Sequence, residues 1–233
     1  MHQIVQITSV TLTVQSACVP FEVAQAPKIN AHWAKAIEEK PHLFDGRVHF
    51  STGFRMDGDA LTATCVPGRF ATLLYWRDKG FPDKRFRHVF GDVIPRASDG
   101  ALLLGKMSAH TANAGRVYFP GGAIDESDVR DDRIDIDHNI TREMEEELGL
   151  TPGTHPFAPG YVIGITDVAL AIGRILDLPW PAEEARAKLL DSARARGDGE
   201  LADLIIARRP SDLDGLDVVE YARHIVTELA PEA

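Results

Sequence analysis

The feature that most constrains this chain is a four-residue rhythm near its middle. Ile136, Ile140, Met144 and Leu148 recur at every fourth position, and at about 100° per residue they make one apolar stripe along a helix. Asp135 stands where an N-cap belongs and Gly149 where a helix-ending C′ glycine belongs, so the stripe predicts a capped helix lying on a core. Its other side reads "REMEEELGL" from 142 to 150. Glu143, Glu146 and Glu147 stand at i, i+3 and i+4 and share a face, while Glu145 points away. Like charges so placed cost roughly 0.2–0.5 kcal/mol per pair, and anions in the last turn also meet the negative end of the helix dipole. Taken alone, such a run is a solvated acidic face; a bound cation is the reading that resolves the repulsion.

The charge of the whole chain points the same way. From Gly122 to Gly149 there are eleven acids and three arginines, a balance of −8 within a total of −10 for 233 residues. A compact acidic segment suits a hard cation, and the overall balance argues against polymeric nucleic acid, which needs a basic footprint. Cys18 and Cys65 make neither a disulfide framework nor a zinc site and read as small buried apolar residues. Met1 to Pro20 lacks a basic start and alternates through Val10, Leu12 and Val14, which predicts a strand and not a signal peptide; with no apolar run long enough to span a bilayer, the expected location is the cytoplasm.

Strand-like runs at Ile4–Val14, Val48–Phe54 and Ala60–Val66, with a helix between Asn30 as N-cap and Pro41 as stop, predict a mixed α and β segment over 1–87. The texture changes at Val89, where two strands flank the Asp99-Gly100 turn signal and "RVYFPGG" follows as a short strand and turn. After the acidic helix, strands are expected at Tyr161–Ile165, Ala169–Leu176 and Leu201–Ala207, with helices near Pro181–Arg196 and Leu216–Leu229. Alternation of this kind predicts helices packed on a mixed sheet, with residues 88–233 as the main domain.

"GGAIDESD" followed by "REMEEELGL" resembles the Nudix box of the Nudix hydrolases, usually written GX5EX7REUXEEXGU with U apolar. Arg142, Glu143, Met144, Glu146, Glu147, Gly149 and Leu150 match the second half at each of its seven fixed positions. The first half departs: Asp128 stands where the pattern has glutamate, and thirteen residues instead of seven separate it from Arg142, a six-residue insertion read as a spacer loop. The resemblance implies an α/β/α sandwich with a mixed sheet, here with the α+β segment as an N-terminal extension that bears on substrate specificity. It implies divalent metal, Mg2+ or Mn2+, held by Glu143, Glu146, Glu147 and the Gly121 carbonyl. It also implies a brace in which Asp128, with Glu126 as competitor, pairs with Arg142 while Gly122 and Gly149 shape the box. Glu143 or Glu146 is the candidate base for an attacking water, although another loop can supply the base in this family.

The implied reaction is metal-assisted hydrolysis of a diphosphate linkage in a nucleoside diphosphate joined to another moiety, giving a nucleotide monophosphate and a phosphorylated remainder. "HWAKAIEEKPHLFDGRVHF" is similar to the N-terminal region of UDP-sugar-cleaving members, and an "FPGG" box with Asp for Glu is similar to coenzyme A diphosphatases; ADP-ribose is a third candidate. Lys106 and Arg116 could reach phosphates, and Tyr118, Trp33 and Phe44 could stack on a base, with His110 a loop candidate; each is equally an ordinary surface or core residue. The partner expected is therefore a small nucleoside diphosphate derivative, with no nucleic acid and no membrane, and a homodimer left open. The alternative is a Nudix-fold sensor that binds such a nucleotide without cleaving it.

Overall fold

The computed structural model describes residues 3–197 and 199–230. In chain order these form β1 (Gln3–Ile7), β2 (Ser9–Val14), α1 (Pro20–Glu39), β3 (Arg47–Asp57), β4 (Ala60–Arg69), α2 (Phe70–Asp78), β5 (Arg87–Arg96), β6 (Leu102–Met107), β7 (Val117–Tyr118) and β8 (Gly121–Ala123). There follow β9 (Val129–Arg130), β10 (Arg133–Ile134), α3 (Ile136–Leu148), β11 (Tyr161–Ile165), β12 (Ala169–Asp177), α4 (Ala182–Arg196), β13 (Leu201–Ala207) and α5 (Glu220–Leu229). Among the described residues no helix is long and apolar enough to cross a membrane.

The sheet is mixed, with the path β1-β11-β12-β5-β3-β4-β2-β10-β9; β8 also pairs with β5, and β6 lies between β13 and β7. Strand β5 is its hub and distributes side chains to two layers. Val89 and Val93 join a core with Ile140, Met144 and Leu148 of α3 and Leu189 of α4, whereas Ile94 joins a core with Tyr221, Ile225 and Val226 of α5. Alternation along one strand thus produces helix, sheet and helix layers, an α/β/α sandwich. A third core, built on Phe50, Trp76 and Phe86, holds α1 and α2 against β3 and β4.

The early segment departs from expectation in three ways. The first apolar run breaks at Thr8, and β1 pairs with β11 while β2 pairs with β4 and β10. Helix α1 starts at Pro20, ten residues ahead of Asn30, because a proline at the first helical position is already set to a helical φ; Asn30 instead accepts a hydrogen bond from Arg69 Nη1 at 2.8 Å. Helix α2 has no counterpart in the expected elements. Five of its nine residues are buried, it has no side-chain cap, and its apolar residues surround it almost completely, so neither periodicity nor capping announces it. The turn at Asp99-Gly100 forms, but β5 and β6 share only the Arg96–Leu102 pair before β6 turns to other partners.

The inserted residues are a hairpin and not a spacer loop. Asp131 and Asp132 take φ values of 48° and 58°, the left-handed pair that closes a two-residue turn, and Arg133 and Ile134 pair with Thr13 and Leu12 of β2. Since β3 also pairs with β5, the sheet runs unbroken across the boundary expected near residue 87.

Candidate active site

Helix α3 is fixed at both ends. Asp135 Oδ1 accepts from the His138 N–H at 3.0 Å, and Gly149, at φ 65°, donates its N–H to the Glu145 carbonyl at 3.1 Å. With the apolar stripe buried, the register of the four glutamates is set. Glu145 does point away: it meets Arg196 Nη1 of α4 at 2.9 Å, a half-exposed pair.

Arg142 lies among the acids. Its Nη2 is 3.1 Å from Asp128 Oδ2, and its Nη1 is 2.8 Å from Glu143 Oε1 and 2.9 Å from Glu146 Oε2. The competitor Glu126 turns instead to Arg47 Nε at 2.8 Å. Asp128 is wholly buried and collects further hydrogen bonds from the Asp125 N–H (3.1 Å) and Asn139 Nδ2 (2.9 Å), with His138 Nδ1 at 2.8 Å. A shorter aspartate serves in place of glutamate because the short 3-10 turn at Glu126–Asp128 carries it inward to these donors.

Two of the three glutamates on the shared face are buried. Glu147 Oε2 accepts from the Gly121 N–H at 3.2 Å, and Glu143 packs so closely on Gly122 that a Cβ there would force its carboxylate to shift. Burial, opposed by Arg142 and reinforced by Glu146 and Asp128, pushes the Glu143 carboxyl up to about 8; burial and then the charge of Glu143 raise Glu147 well above the ordinary range. Glu146 is exposed at the rim, held by Arg142. Among the described residues, no three His, Cys, Asp or Glu side chains already stand together as a metal cage.

A cavity of about 360 Å³ ends on Gly121 and Gly122, the two residues that Glu147 and Glu143 touch. Arg116 and Tyr118 line it; Tyr118 OH accepts from Asn113 Nδ2 at 3.1 Å. Lys106 does not: it is exposed on β6 between β13 and β7. Trp33 packs edge-on against Phe70, Phe44 is 82% exposed, and the His110 carbonyl lies 2.6 Å from His42 Nε2, so none of these three lines the cavity.

Sequence reasoning passed over Asp92. It is buried on β5 opposite Gly121, accepts from Tyr221 OH at 3.2 Å through Oδ1, and leaves Oδ2 without a hydrogen-bond partner, while burial drives its carboxyl far up. An aspartate inside "VFGDVI", an otherwise apolar strand, was the available signal. The donors fit a hard divalent cation in kind: all are oxygens, and two are buried carboxylates whose charged forms burial disfavours.

No family model matches the chain. Uncharacterized Nudix hydrolases named NudL from Cronobacter sakazakii and Citrobacter koseri are 29% and 31% identical to it over 97 residues, 42% of this chain. The chain spans about half the length of the curated relatives it matches, 48% in each case. A Nudix hydrolase from M. smegmatis, RenU, is 18% identical and aligns over 63% of this chain and 89% of its own, with a TM-score of 0.40. A Deinococcus radiodurans structure aligns over 61% and 83% at 13% identity, with a TM-score of 0.43. The half-box is intact from Arg142 to Leu150 and rests on a buried aspartate, and over 97 residues the chain is similar to proteins that carry the Nudix hydrolase name, so it resembles that family both in motif and in sequence.

Proposed function

We propose that this chain hydrolyses the diphosphate linkage of a nucleoside diphosphate joined to another moiety, releasing a nucleotide monophosphate and a phosphorylated remainder. Water adds to one phosphorus and the bridging P–O bond breaks, so each product keeps one phosphate. The observation that carries this reading is the pair of buried carboxylates, Glu143 and Glu147, pressed against Gly121 and Gly122 at the end of a cavity large enough for a small substrate. Glu143, Glu146, Glu147 and the Gly121 carbonyl are the residues that would hold Mg2+ or Mn2+. A divalent cation there supplies charge that neutralises phosphate oxygens and acidifies a bound water.

The chain's own groups divide the remaining work. Arg142 holds Glu143 and Glu146 in register and is itself anchored by Asp128. Glu143 or Glu146 takes the proton of the attacking water. Arg116, in the cavity wall, is the cation that would meet a phosphate, and Tyr118 beside it offers a ring face.

The test is incubation with UDP-glucose, ADP-ribose, NADH, coenzyme A and dinucleoside polyphosphates, with magnesium, manganese or chelator, and identification of products by mass. A nucleotide monophosphate that forms only with metal supports the proposal. Binding of one of these compounds with no product under any condition would instead establish the sensor alternative.

A further inference from the structure

The cavity has unlike walls, and the apolar one comes from the extension. Phe70, Leu73, Leu74 and Arg77 all line it, and their spacing of i, i+3, i+4 and i+7 is one face of α2. Phe90 and Val168 stand among the remaining apolar lining. Several of the polar lining groups are committed to the protein, although Asp92 Oδ2 and His88 Nε2 have no hydrogen-bond partner. Asn113 Oδ1 accepts from Arg77 Nη1 at 2.6 Å while its Nδ2 donates to Tyr118 OH; Arg77 Nε pairs with Asp78 Oδ1 at 3.0 Å; Tyr221 OH donates to Asp92.

A ligand buried here exchanges water for carbon on most sides. Along the α2 face, where Phe70, Leu73 and Leu74 stand, ring hydroxyls of a sugar would find no side-chain partner on those three residues, and each hydroxyl buried unpaired weakens binding. An alkyl or aryl group loses no hydrogen bonds on entry and gains from leaving water. The phosphate end is accounted for by the carboxylate side, where Gly121 and Gly122 close the cavity and Arg116 supplies a cation.

We propose that this cavity receives the group across the diphosphate from the nucleoside and selects an apolar alkyl or aryl substituent over a sugar, with the 70–77 face of α2 as the specificity element. This rests on the hydrolytic reading above and narrows its substrate. Among the candidate substrates, a UDP-sugar is thereby disfavoured by the apolar face of α2.

The experiment holds the nucleoside constant and varies the far end: adenosine diphosphate esters bearing octyl, phenyl or glucosyl groups, with magnesium, compared by kcat/KM. The wild type should favour octyl and phenyl over glucosyl by at least about ten-fold, the scale of discrimination that a few pocket contacts give. Leu73→Gln should remove most of that ratio and Leu73→Met should keep it, with thermal melts confirming that each variant folds. Equal use or a preference for the glucosyl ester overturns the proposal, as does a ratio that survives Leu73→Gln in a folded protein; a nucleobase seated in the cavity would give that last result. If Leu73→Gln does not fold, the wild-type ratio decides. If no ester is cleaved, the hydrolytic reading fails by itself, and the same three esters are compared by calorimetric Kd: at least ten-fold tighter octyl binding supports the cavity assignment, and equal or undetectable binding ends it.

Discussion

Helix α2 lines the cavity directly, whereas α3 meets it only through Gly121 and Gly122, and the two are built on opposite principles. Helix α3 is capped at Asp135, closed at Gly149 and divided into an apolar stripe and an acidic face, so each turn declares which way it must lie. Helix α2 has no side-chain cap and is buried on most sides, so its own sequence is indifferent to rotation. Its orientation comes from neighbours: Trp76 Nε1 donates to the Asp83 carbonyl, Thr72 Oγ1 to Glu22, and the Ala71 N–H to Asp45. A charged site needs a helix whose phase is fixed locally, because a carboxylate displaced by one position joins the wrong surface. An apolar wall tolerates a helix whose phase is negotiated by packing.

The comparison breaks first at Asp128. Asp128→Ala would leave Arg142 partly buried beside an empty position, strip the Asp125 N–H of its acceptor and leave Asn139 Nδ2 with the Ala123 carbonyl alone. Loss of one partner from a buried ion pair costs about 3–5 kcal/mol, which for a chain of this size is a fall of about 6–20 °C in melting temperature. A fall within a degree or two would mean that α3 is held by its stripe alone.

Next in size is the split among adjacent glutamates. Glu147→Gln or Glu146→Gln is expected to lower turnover at least about 100-fold, roughly 2.7 kcal/mol, whereas Glu145→Gln loses only a rim pair with Arg196 and should stay near wild type. Steady-state rates with magnesium read this directly, and equal losses at Glu145 and Glu146 would show that the acidic face is misassigned.

His88 tests the seam between the two regions. It lines the cavity, lies against the ring of Phe90, and has its pKa pushed down to about 3 by burial and then by His49. The unfolded chain therefore takes up a proton near pH 6.5 that the native state refuses, so stability falls as pH drops from about 6.5 toward about 3, by up to about 1.4 kcal/mol per unit. Denaturant midpoints at pH 7 and 5.5 should converge for His88→Phe and separate for the wild type. Parallel shifts in the two proteins would place water at the imidazole.

The smallest effect is at the hairpin that ties the box to β2. Asp132 sits at φ 58° in the two-residue turn, where glycine pays no steric penalty, so Asp132→Gly should stabilise by about 0.5–1 kcal/mol and raise the melting temperature by about 1–4 °C. If it destabilises, the turn is held by the aspartate side chain and not by its backbone.

How much was legible follows from the range of the interactions. The caps of α3, its stripe, the phase that separates Glu145 from its neighbours, and the strands Tyr161–Ile165 and Leu201–Ala207 were all readable, because helical rise, alternation and capping act within a few residues. The resemblance to the box named the same acids. Hidden from the sequence were contacts that join distant segments: Asp92 opposite Gly121, the pairing of the inserted hairpin with β2, and α2 as a cavity wall. The sequence by itself determined which residues could carry charge together on one helix; only the tertiary structure decided what that charge faces, because burial and strand pairing depend on residues tens of positions away whose approach no local period records.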